Sequence, residues 1–200
     1  MKKIIIGILS FIVLAGIVII GGSMYMSHQR KEQLYKHGFQ LYEEQIATYI
    51  KENYTGVSKI EFSPIFTEGD NKYTIATANV VPVIYDNHGN KAKLGGKIGE
   101  RVYARYGLLH GISDLDFDGA DEEVIYLSDS ASGQEIEVSK DKHLPKKAKV
   151  QYDTDIDENI DLFVKNKILK DVIKSEQGSP EIKIVYNTEI KEGDYSQWQP

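Results

Sequence analysis

The residues whose spacing could do chemistry lie between positions 114 and 122, where Asp114, Asp116 and Asp118 alternate with Leu115 and Phe117 and lead into Gly119, Asp121 and Glu122. Carboxylates at alternate positions can converge on one hard cation when a glycine at the sixth position lets the chain turn sharply. Calcium is the ion such an oxygen-rich loop serves. Asp114, Asp116, Asp118 and Glu122 are therefore the candidate metal ligands. The twelfth position is Ile125 rather than a bidentate glutamate, which excludes the helical calcium hand. Without a cation the same residues read as a solvated acidic loop between strands.

A second acidic run, Asp153, Asp155, Asp157, Asn159 and Asp161, has similar spacing and no glycine. It suits a helix start, because carboxylates in a first turn face the positive end of the helix dipole. His28, His37, His88, His110 and His143 include no pair at the three- or four-residue spacing that puts two imidazoles on one helical face, so zinc is not expected. The run Gly95-Gly96-Lys97-Ile98-Gly99 lacks the Lys-Ser/Thr ending of a phosphate loop and reads as a glycine-rich turn or bulge. There is no Gly-x-Ser-x-Gly elbow, and the absence of cysteine removes thiol nucleophiles, disulfides and cysteine-linked lipids together. No enzyme is expected, and no cofactor apart from calcium.

The elements that must position these residues can be read from hydrophobic period. Over residues 27–54, Leu34, Tyr35, Phe39, Tyr42, Ile46, Tyr49 and Ile50 recur at three and four residues, which predicts a half-buried helix ended by Gly56. Gly38 inside it costs about 1 kcal/mol relative to alanine and is the expected place for a bend if the membrane and domain portions diverge. Tyr35, Tyr42 and Tyr49 read as core; left exposed, they would mark a partner site. Strands are expected over 57–66, broken by Pro64, over 73–85 with Pro82, and over 91–98 after a turn at 86–90. Both prolines require an edge strand or a bulge. A further stretch over 101–112 precedes the acidic loop, and a strand over 123–127 follows it. Residues 128–155 read as irregular with one short strand at 135–138.

A second helix is expected to begin at Asp155 or Asp157, to carry Ile160, Phe163, Val164, Ile168, Leu169, Val172 and Ile173 on one face, and to stop at Gly178-Ser179-Pro180. A strand over 181–190 and a solvated tail holding Trp198 end the chain. The fold class is α+β, a long helix packed on an antiparallel sheet with a second helix near the C-terminus. Residues 59–62 and 66–70 align with residues 183–186 and 190–194. A duplicated helix-strand unit is one explanation, and convergence of two helix-to-strand connections is the other.

Ahead of these elements, residues 4–22 run without a charged side chain. Nineteen residues at the helical rise span about 29 Å, which matches a hydrocarbon core of about 30 Å. Residues 1–26 are accordingly expected as a transmembrane anchor, 27–190 as an extracytoplasmic domain and 191–200 as the tail. A cleaved secretory signal is the competing reading, but its apolar core would be only about 7–15 residues long. Lys2 and Lys3 hold the N-terminus inside, since a long following domain crosses largely regardless of charge. With only Lys2, Lys3 and Arg30 before residue 31, the domain carries 21 Lys and Arg against 30 Asp and Glu, a net of −9. Nucleic acid is not an expected partner, because the short basic cluster Lys146, Lys147 and Lys149 has no stacking aromatics beside it.

The spacing at Asp114, Asp116, Asp118, Gly119 and Glu122 resembles the D-x-D-x-D-G loops of calcium-binding repeat proteins, with Phe117 departing from the small residue such loops favour. The order lysine start, apolar anchor, charged helix, then Ile50-Lys51-Glu52-Asn53-Tyr54 leading into Lys59-Ile60-Glu61-Phe62, resembles small membrane-anchored proteins of Gram-positive bacteria. That resemblance covers about residues 1–90. It implies a helix packed on an antiparallel sheet, similar in outline to cystatin-like or PepSY-like domains. The expected function is a membrane-anchored extracytoplasmic binding module with the lipid bilayer and a protein at the membrane surface as partners, as an immunity or envelope accessory protein would have. The alternative is a calcium-binding module or metal-assisted hydrolase built on the acidic loop.

Overall fold

The computed structural model describes residues 2–68, 77–129 and 132–200, with side chains from Tyr25 onward. The first element is one uninterrupted helix, α1 (Lys2–Asn53, 52 residues). The expected span over residues 4–22 lies outside the residues whose side chains are described. Among the described residues no helix is long and apolar enough to cross a membrane.

Where α1 enters the domain it is buried on nearly every side rather than on half of its circumference. Leu34, Phe39, Leu41, Ala47, Tyr49 and Ile50 are at most 1% exposed, and Glu43 and Gln45 are buried with them. The reason is that its polar face catches backbone. His37 Nε2 lies 2.8 Å from Asp141 O, Gln40 donates to Lys142 O, Glu44 accepts from Leu144 N–H at 2.6 Å, and Gln45 donates to Ala148 O at 2.8 Å. An irregular segment is thereby laid along the helix with its peptide groups satisfied, as buried backbone requires. The helix runs through Gly38 without interruption. A β-carbon there would stand 2.4 Å from Leu115 Cδ1, so its use is to let a strand approach closely.

The strands follow as β1 (Tyr54–Thr55), β2 (Val57–Phe62), β3 (Ile65–Glu68), β4 (Thr77–Val80), β5 (Pro82–Asp86), β6 (Lys91–Lys93), β7 (Gly96–Ile98), β8 (Arg101–Tyr103), β9 (Tyr106–Leu108), β10 (Gly111–Phe117), β11 (Glu123–Ser128) and β12 (Glu135–Glu137). After α2 (Thr154–Lys165) come β13 (Ile173–Lys174), β14 (Lys183–Val185) and β15 (Ile190–Glu192). A seven-stranded sheet has the order β12-β11-β10-β9-β4-β3-β15, and a four-stranded sheet the order β14-β2-β5-β6.

The two sheets share a corner made by the prolines. The chain passes from β2 to β3 through Ser63-Pro64 and returns from β4 to β5 through Val81-Pro82, changing sheet both times. Ser63 N–H donates to Val81 O and Ser63 Oγ accepts from Val81 N–H, which pins the corner. Pro82 lies in an inner strand, but as its first residue, where a missing N–H is tolerated. The similar segments of the sequence turn out to be neighbours: Lys183, Ile184 and Val185 pair in parallel with Lys59, Ile60 and Glu61, residue for residue as they align. One element further, β15 pairs with β3 one residue out of that alignment, Ile190 opposite Ile65.

Helix α2 is capped by Asp153, two residues before the expected start, its carboxylate accepting from Ile156 N–H at 2.9 Å. It also ends well before Gly178. Ile168 N–H reaches Phe163 O and Lys167 N–H reaches Val164 O, with Lys167 at φ 58°, which is a Schellman stop carrying lysine where glycine is usual. Leu169 and Val172 still reach the core, but from the irregular chain beyond the helix. The tail is mostly exposed, as expected, but tied down at two points. Lys93 donates to Trp198 O and lies over its ring, and Arg105 stacks 4.6 Å from the centre of the Tyr195 ring.

Candidate functional site

A cavity of about 210 Å³ opens where three elements meet. Helix α1 supplies Tyr42, Gln45, Ile46 and Tyr49, the start of α2 supplies Asp153, Asp155 and Ile156, and the β9–β10 turn supplies Leu109, His110 and Gly111. Ser128 and Val150 add to the wall, and among the described residues no lysine or arginine lines it.

The turn is built for that position. Gly107 N–H donates to His110 O, His110 N–H to Gly107 O, and Leu109 N–H to Ile112 O. Tyr42 Oη donates to the same His110 carbonyl at 2.7 Å. Gly111, at φ 105°, has the Tyr42 ring 2.1 Å from where a β-carbon would stand, so only glycine lets the turn close on the helix. His110 Nε2 then lies 3.0 Å from Asp155 Oδ2, and its ring meets Tyr106 edge-on at 5.7 Å. Leu109 pays for this geometry with a left-handed backbone, φ 69°, and a side chain 90% exposed. Burial, with Asp153 and Asp155 adding to it, pushes the Tyr42 phenol well above its ordinary value, which keeps it a donor.

The acidic run of α2 has more uses than capping. Asp153 caps, Asp155 holds His110, and Asp157 accepts from the hydroxyls of Tyr49 and Tyr54 at 2.8 and 2.5 Å while pairing with Lys174. Asn159 Oδ1 accepts from Gly95 N–H at 2.7 Å, fixing the glycine-rich bulge between β6 and β7. Tyr35, Tyr42 and Tyr49 are all buried, the core reading of that face.

The candidate metal ligands are placed otherwise. Asp114 and Asp116 belong to β10 itself, where side chains on one face are spaced by about 7 Å along the strand. Each accepts the next residue's N–H, Leu115 and Phe117. Asp118 Oδ1 accepts from both Ala120 and Glu122 N–H, shaping the hairpin turn, and the Glu122 side chain is exposed. Asp121 pairs with Arg30, whose guanidinium lies 4.7 Å from the centre of the Phe117 ring, so the hairpin clasps α1. Among the described residues no group of three or more His, Asp or Glu converges as a metal ion requires.

His110, Asp155, Tyr106 and Leu109 as a group were not legible in the sequence. Residues on distant segments carry no spacing signal, and the only local hint was a leucine between Gly107 and Gly111.

No protein-family model matches the chain, and neither a curated protein nor a solved structure is detectably similar to it. The class that can be stated is architectural: an α+β protein organised around one central helix.

Proposed function

We propose that the chain is a membrane-anchored binding module, with residues 1–26 in the bilayer, the N-terminus cytoplasmic and the acidic domain outside. The observation that carries this reading is the continuity of α1 from Lys2 to Asn53. The apolar run and the central core element belong to one helix, so the domain stands on the anchor as a rigid body. Tyr42 is twenty residues beyond Gly22, which sets the cavity about 30 Å above the end of the apolar run. A fixed height suits engagement of a protein at the membrane surface, as an immunity or envelope accessory protein would need. The net acidity of the domain favours a basic partner. No observation favours the calcium or hydrolase alternative over this one.

The binding half of the proposal is tested in intact cells with a photo-crosslinking residue at Leu109. A discrete protein adduct is expected from Leu109 and not from the exposed Lys140. Equal, diffuse labelling from both positions contradicts a specific surface.

A further inference from the structure

Resting on that binding reading, we infer that the cavity between α1, α2 and the β9–β10 turn receives an arginine side chain of the partner. Size argues first. At about 210 Å³ the cavity falls below the range of about 300–1,000 Å³ in which small-molecule sites lie, so it suits one side chain better than a whole metabolite. Charge argues second. Asp153 and Asp155 line it beside His110, which Asp155 holds at 3.0 Å, with no lysine or arginine among the described lining residues. Tyr42 and Tyr49 stand in the same wall, and a planar guanidinium forks onto carboxylates.

One further feature points to an occupant. Leu109 lines the cavity in a strained conformation yet is 90% exposed, the mark of an apolar anchor that packs beside the inserted side chain.

The test is a methyl NMR titration of the full chain in nanodiscs. The probe is N-acetyl-arginine-methylamide, and its neutral isostere N-acetyl-citrulline-methylamide is the control at matched ionic strength. Saturable shifts are expected at the methyls of Leu109, Ile46 and Ile156 with the arginine probe only. Asp155→Asn should weaken the probe at least fivefold. Asp153→Asn should do likewise while keeping the helix cap, since asparagine caps as well as aspartate. Absence of saturable shifts up to 100 mM probe, as a roughly chosen ceiling for one side chain, overturns the inference. So does equal binding of the citrulline control or unchanged binding in folded Asp153→Asn. A Leu109 crosslink that survives such a result leaves the binding module standing and removes only the arginine.

Discussion

Glu43 is a carboxyl group with no place for a charge. It is fully buried in α1, one oxygen accepts from Asn187 N–H at 3.0 Å, and the other has no partner among the described residues. Burial raises its pKa from 4.5 to about 8. The unfolded chain therefore releases this proton near pH 4.5 while the native state holds it to about pH 8, and stability falls as pH rises through that window. Glu43→Gln should abolish this slope and be more stable than the native sequence at pH 8 by up to about 4 kcal/mol, read from denaturant midpoints at pH 5 and 8. A slope unchanged in the variant contradicts it. At the cavity, Gly111→Ala should cost about 2–4 kcal/mol, because the added carbon meets the Tyr42 ring and the backbone sits at φ 105°. Thermal unfolding checks that figure.

Single residues were read best where one property decided their place. Tyr35, Tyr42 and Tyr49 followed the helical period into the core. Glu43 and Gln45 did not, because their burial depends on Asn187 and Ala148, which arrive from remote chain. Gly38 was legible as an anomaly but not in its use, since Leu115 belongs to a strand far along the sequence.

Among the elements, the hairpin β10–β11 and helix α2 show what a local signal leaves open. The alternating aspartates are strand residues at Asp114 and Asp116, and Asp118 turns the chain. Asp118→Ala should destabilise the domain by about 1–2 kcal/mol, equally with and without millimolar calcium, as followed by thermal melting. A calcium-dependent difference would support a metal at the loop. The apolar spacing of α2 continues past its end, and the stop is hidden because Lys167 occupies the left-handed position. Lys167→Gly should raise stability by about 0.5–1 kcal/mol, measured by chemical denaturation. By contrast α1, β11 and β12 lie close to where period and turn residues put them. The sheet order was not legible, because the corner at Pro64 and Pro82 and the parallel pairs of β14 and β15 are long-range choices.

For the whole molecule, the consequence of α1 is mechanical. A single helix is core at one end and carries the apolar run at the other. Arg30, bound to Asp121 and stacked on Phe117, braces the helix against the hairpin just above the expected interface. The measurement that bears most directly on this account is carbonate washing of membranes followed by protease treatment of wall-free cells. We expect the full-length chain to stay with the washed membranes and its domain to be digested from outside. Release by carbonate, or a domain left intact while an external control is cleaved, would contradict it.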